Sequence, residues 1–212
     1  MFEYKLNIHK SLIEISKLTG YCIKTGTYFS PSYNIGYGSS IPLIMNNELC
    51  KVSFEPKFIN PESVDFFMIS GLQRCIIPVY GVYRIGPYKD AFYFFSDSLI
   101  FLVGFINDSK NLTIIINDFT NDDIRNCVPI ALNKVEGDLW LNNDFNDLEN
   151  KKYSNYTGLY PVSLLNLKNG YSGKSCIEPM HSISRIYKNL INYLKKKENK
   201  YVEPLKLKLK TL

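Results

Sequence analysis

The chain has 212 residues, 45% of them hydrophobic and 21% charged, with a formal net charge of +5. That balance excludes a disordered tail, and the charge is too small to make the whole chain a nucleic-acid binder. Five cysteines without a C-x-x-C pair fit neither a zinc site nor a disulfide framework, so a reducing, cytoplasmic compartment is expected.

Phe2–Ile8 reads as a strand. Lys10–Leu18 follows as a helix of about two turns that ends at Gly20. No signal peptide is expected, because the first residues lack an apolar run followed by a small-residue cleavage site. His9 falls in this charged segment and is expected on the surface. Tyr21–Ile41 reads as a loop, with Gly26, Pro31, Gly36 and Gly38 as punctuation. Its Tyr21, Tyr28, Tyr33 and Tyr37 form a candidate contact surface, since tyrosine is enriched at interfaces. Compositional bias is the competing account, because 16 Tyr and 13 Phe beside abundant Asn, Lys and Ile suit an AT-rich genome. Gly36-Tyr-Gly38-Ser-Ser lacks the Lys-Ser/Thr ending of a phosphate loop and is read as a turn.

Ile41–Ile44 is expected as a short strand, and Val52–Ile59, interrupted by Pro56, as an edge or irregular strand. The apolar centre lies between Phe66 and Phe119, with runs at Phe66–Ile69, Cys75–Tyr83, Ala91–Ile106 and Leu112–Ile116. Leu99–Ile106, the polar loop Asn107–Asn111 and Leu112–Ile116 predict a hairpin buried on both faces. The run Leu99–Ile106 is far shorter than the roughly 20 residues of a membrane helix, so the protein is expected to be soluble. Asp118, Asp122 and Asp123 lack the spacing of a calcium loop and read as a solvated turn. Gly137–Leu141, with the only tryptophan, reads as a strand, and Asn142–Asn155 as a polar loop.

Met180, Ile183, Ile186, Tyr187, Leu190, Ile191 and Leu194 recur at three- and four-residue steps, which predicts an amphipathic helix over 178–198. Leu205, Leu207 and Leu209 alternate with lysines, which predicts a half-buried strand over 203–210. Together these elements define one α+β domain. Residues 1–20 open it, a largely antiparallel body covers 21–165, and the helix and final strand close it.

Two sets of residues could carry chemistry. Cys176 and His181 are close enough for an imidazole-activated thiol, although Pro179 intervenes and no third orienting group is evident. Lys188, Lys195, Lys196, Lys197, Lys200, Lys206, Lys208 and Lys210 form a basic face that could meet nucleic acid or an anionic membrane surface. A solvated helix end and a lysine-protected edge strand account for the same residues without a ligand. No metal site, cofactor or small-molecule substrate is expected from the residue pattern.

The order of short motifs resembles the SapC family of bacterial proteins, named for a surface-layer-associated protein. Ser40-Ile-Pro-Leu43 is similar to its early S-V-P-L strand, and Ile69-Ser-Gly-Leu72 to its L-G-L strand end. Ile77-Pro-Val-Tyr80 through Arg84 is similar to its proline-bearing strand followed by arginine. Ile183–Lys197 leading into Val202-Glu-Pro-Leu-Lys-Leu-Lys-Leu209 is similar to its late helix, L-E-P and alternating strand. The resemblance implies a bacterial protein linked to the cell surface and supplies no catalytic residues. The function expected from these readings is a non-enzymatic structural or interaction component, an accessory of a surface or particle assembly with another protein as partner.

Overall fold

The computed structural model describes residues 3–59, 71–86, 90–117, 128–144, 155–168 and 171–180. Met1–Glu178 form one compact unit, and Pro179–Leu212 form a second, in which only residues 179 and 180 are described. Within the first unit the architecture is strand-rich, a mixed sheet with few helices.

The sheet is built around two long strands, β7 (Leu72–Ile85) and β8 (Ala91–Asn107), which pair antiparallel from Leu72↔Asn107 to Ile85↔Ala91. Their β-branched and aromatic residues suit a pleated surface buried on both faces. The pairing register shifts between Val79 and Gly81, and such a bulge bends and further twists the strands that carry it. Glycine is required at this position, because a Cβ on Gly81 would meet the Tyr93 ring and the Phe94 carbonyl oxygen.

The bend divides the sheet into two sections that share β7 and β8. In one section, β4 (Ser40–Met45) pairs β7 at Ile44↔Ile76 and β5 (Glu48–Ser53) pairs β4. The short β2 (Cys22–Ile23) runs parallel to β5. Beyond β8 lie β9 (Leu112–Ile115) and the parallel β6 (Lys57–Ile59). In the other section, β1 (Glu3–Ile8) pairs β7 through Glu3↔Ile85 to Asn7↔Gly81, and β3 (Ser32–Ile35) pairs β1. On its far side β11 (Gly158–Pro161) pairs the start of β8, whereas β10 (Ala131–Leu132) pairs β8 at Phe101 and Leu102, in the first section.

The main core joins Leu6, Ile8, Leu43, Ile76, Ile77, Leu102, Ile114 and Trp140. Tyr4 of β1 touches Phe58 of β6, with ring centroids 4.5 Å apart, so β1 approaches the far edge of the other section. A second, smaller core gathers Tyr83, Tyr93, Val162, Leu167 and Cys176 beneath the short helix α3 (Leu164–Lys168) and a 3-10 turn at Lys174–Ile177. Lys5 and Asn34 both donate to the Leu167 carbonyl, which ties that cover to β1 and β3.

Several local expectations are met. The expected N-terminal helix forms as α1 (Leu12–Thr19): Ser11 and Glu14 make a reciprocal capping box and Gly20 closes the helix at φ +79°. The hairpin β8–β9 forms as expected, and its Asn107 side chain accepts the Asn111 amide at 2.8 Å. Val52–Ile59 divides at Pro56 into the end of β5 and the sheet-edge strand β6. Phe66–Ile69, the acidic segment 118–126, residues 181–198 of the helix expected over 178–198 and the strand over 203–210 lie outside the described residues, while Glu178–Met180, the expected first turn of that helix, are described and not helical.

Two expectations are overturned. Gly137–Leu141 is not a strand but most of helix α2 (Lys134–Leu141). Asn133 and Glu136 form a capping box there, and the buried residues Gly137 and Trp140 are spaced as one helix face requires. Gly137 lets the helix lie close to the sheet: a Cβ would come within 3.3 Å of Ile76 and 3.6 Å of Phe101. The expected loop Tyr21–Ile41 contains β2 and β3. Both are short and pair with strands distant in sequence, so local periodicity carries little trace of them.

Candidate functional site

The sequence-predicted contact tyrosines separate into three environments. Tyr28 and Tyr37 are 75% and 73% exposed. Tyr33 is half-buried and stacked on His9. Tyr21 does not belong to a contact surface. It is buried, its hydroxyl donates to Asp138 on α2, and the Lys134 ammonium lies 4.5 Å from its ring centre. Burial, then the adjacent Asp138 carboxylate, pushes the Tyr21 phenol well above its ordinary range.

Cys176 is fully buried, with its thiol facing the carbonyl oxygens of Tyr171 at 3.3 Å and Asn166 at 3.8 Å. Burial pushes this thiol up, away from the thiolate form a nucleophile needs. Its expected partner His181 lies outside the described residues, as do Lys188, Lys195, Lys196, Lys197, Lys206, Lys208 and Lys210. Among the described residues no cluster of three His, Cys, Asp or Glu side chains could hold a metal ion. No helix among them is long and apolar enough to cross a membrane.

A groove of about 660 Å³ brings together residues that are far apart in sequence. Three segments line it: Tyr37 and Gly38 of the turn with Ser40 at the start of β4, Lys51, Val52 and Ser53 of β5 with Glu55, and Ser109, Lys110 and Asn111. Gly38 takes φ +79°, so the Gly36–Ser40 segment is the expected turn. Lys110 sits at φ +61°, a left-handed conformation unusual for a side chain of its length, with its amide bonded to the Asn107 carbonyl at 2.9 Å. Ion pairs among the described residues join Lys5 to Glu3, Lys10 to Glu14 and Lys134 to Asp138. Lys51 and Lys110 take part in none of them, so among the described residues neither lysine of the groove is ion-paired. The Glu55 carboxylate, the one among its described lining residues, accepts the Ser53 hydroxyl at 2.8 Å.

Sequence reading placed none of Ser40, Lys51, Ser53, Ser109 or Lys110 in a site. The available signals were the outward position of Lys51 on an alternating strand and the tight Asn107–Asn111 loop that fixes Lys110.

His9 also departs from expectation. Rather than projecting into water, its ring stacks on Tyr33 at 4.8 Å and tilts against Tyr80 at 4.3 Å. Its Nδ1 lies 3.0 Å from Asn7 Oδ1, while Asn7 Nδ2 donates to the Tyr93 hydroxyl at 2.5 Å. An amide oxygen can only accept, so Nδ1 carries the proton. Burial, then the Lys10 charge, lowers the His9 pKa below its ordinary 6.5, with Glu14 opposing. The unfolded chain therefore binds this proton more tightly. The His9 contribution to stability is complete above pH 6.5 and declines as pH falls from 6.5 through the lowered folded value. Urea titrations on either side of pH 6.5 should show this decline in the wild type and its absence in His9→Phe. Equal pH slopes in the two proteins would contradict the assignment.

No protein-family model matches the chain, and no curated protein matches it.

Proposed function

We propose that this chain is a non-enzymatic interaction component that engages a protein partner through the tyrosine-bearing segment 28–40 and the adjoining groove. The observation that carries the reading is the exposure of Tyr28 and Tyr37, at 75% and 73%, beside tyrosines packed as tightly as Tyr4, Tyr21, Tyr83 and Tyr93. Exposed aromatic rings beside polar and charged groups are the composition of contact surfaces. The buried, pKa-raised Cys176 supports the same reading by weakening the thiol-enzyme alternative. An α+β domain with a C-terminal amphipathic helix and a final strand over 203–210 belongs to this proposal. So does a role as accessory to a bacterial surface or particle assembly, as the SapC resemblance implies.

Affinity capture with tagged full-length protein from its native cells, in low and high salt, tests the proposal. A stoichiometric protein that survives high salt and is lost with Tyr28→Ser/Tyr37→Ser is the expected result. Capture unaffected by the double substitution, or Cys176 alkylating far faster than an ordinary thiol, would overturn it.

A further inference from the structure

From the exposed edge of β5 we infer the chemistry of that partner: the groove accepts an extended acidic segment of polypeptide, which adds to β5 as a further strand. The inference rests on the interaction reading above and narrows it.

The backbone of β5 supplies the first argument. Successive residues of a strand direct their amide and carbonyl groups to opposite sides. The Leu49 carbonyl accepts the Lys24 amide at 2.9 Å on the side away from β4, so Lys51 and Ser53 direct their backbone groups to that same side. Pro42, which has no N–H, stands opposite Lys51, as suits a pair that exchanges no hydrogen bonds across β4 and β5. The flanking β2 pairs only with Glu48 and Leu49, and the Ser53 carbonyl is taken by the Glu55 amide at 3.0 Å. Among the described residues this leaves the Lys51 N–H and C=O and the Ser53 N–H without a backbone partner, spaced as an incoming strand would need them. The groove follows this edge: Lys51, Val52 and Ser53 all line it, although Val52 buries its side chain on the core.

Charge selects the occupant. Lys51 and Lys110, neither ion-paired among the described residues, line the groove together with Ser40 and Ser109. Carboxylates on a peptide would complement both lysines, while Glu55 would repel a third at its own position. A chain of phosphates matches the lysines but has no N–H to donate to the Lys51 carbonyl, whereas a peptide in strand conformation satisfies donor and acceptor together. Tyr37, exposed and part of the lining, adds an aromatic surface for an apolar side chain of the same segment.

Fluorescence anisotropy with full-length protein tests this, using a labelled peptide that alternates Glu with Val. Two controls replace Glu by Lys or N-methylate alternate backbone nitrogens. The acidic peptide should bind saturably, the basic one should not, and N-methylation should weaken binding about tenfold or more. Lys51→Glu and Lys110→Glu should each reduce affinity about tenfold, with an unchanged urea midpoint as the folding control. Affinity that survives both substitutions or N-methylation would overturn the inference. So would displacement of the peptide by equimolar inorganic phosphate or acidic vesicles, which would mark the groove as a general anion site. If the cellular partner is released by Tyr28→Ser/Tyr37→Ser but retained by Lys51→Glu/Lys110→Glu, the interaction reading stands and strand addition to β5 falls.

Discussion

Replacing Trp140 by alanine is expected to destabilise the protein by about 3–5 kcal/mol, the range for deleting a buried aromatic side chain. Trp140 is fully buried and joins α2 to the central sheet in three ways. Its Nε1 donates to the Cys75 carbonyl at 3.1 Å, its ring meets Phe105 edge-on at 5.3 Å, and the Arg74 guanidinium lies 4.2 Å above it. The Arg74 side chain also donates to the Trp140 carbonyl at 3.2 Å, so one residue holds both ends of the contact. Alanine would leave a cavity between helix and sheet and remove a buried hydrogen bond. Trp140→Phe should recover much of the apolar contact but not the bond to Cys75, and so fall between the two. Urea unfolding measures all three, and an alanine variant within about 1 kcal/mol of wild type would contradict this account of the core.

The second large effect is expected at Gly104 on β8, where alanine should destabilise by about 1–3 kcal/mol despite adding a single methyl group. A Cβ there would meet the Thr113 carbonyl oxygen on β9. Backbone cannot rotate aside as a side chain can, so β9 must move away from β8 and lengthen its pairing through Gly104↔Ile114 and Phe105↔Thr113. The displacement would reach the Asn107–Asn111 loop, which sets Lys110 against the groove. A lowered urea midpoint together with weaker acidic-peptide binding is the expected pair of results. Full stability in Gly104→Ala would show that the close approach of β8 and β9 is not required.

The parts of the fold legible in the sequence are those whose determinants are local. The hairpin around Asn107–Asn111 is one, because two apolar runs flank a short polar loop. Helix α1 is another, with its Ser11 cap and Gly20 stop next to the residues they terminate. Helix α2 reads as a strand in the sequence because Leu139 and Leu141 flanking Trp140 imitate one. The Asn133–Glu136 capping box and the Gly137–Trp140 spacing carry the correct signal. The pairing of β2 with β5 and of β3 with β1 depends on tertiary contacts that no short window contains.

The same division runs through the candidate site. Tyr28 and Tyr37 were visible as members of a tyrosine-rich segment, but Tyr21 was indistinguishable from them until its packing against α2 was known. His9 reads as solvated because Asn7, Lys10 and Ser11 lie beside it in sequence, whereas its neighbours in space, Tyr33 and Tyr80, come from β3 and β7. The groove is the extreme case. Its lining comes from three segments, and its chemistry lies as much in a strand edge without backbone partners among the described residues as in side chains.

The measurement that tests the central claim most directly is amide hydrogen exchange of the full-length protein, alone and with its captured partner. Exchange reports protection of individual backbone N–H groups, and those are the groups a docked strand would cover. Slowed exchange at Lys51 and Ser53, with accompanying protection over 36–40 and 109–111, is the predicted result. Protection elsewhere on the molecule, with the Lys51 and Ser53 amides exchanging as fast as in the free protein, would contradict it.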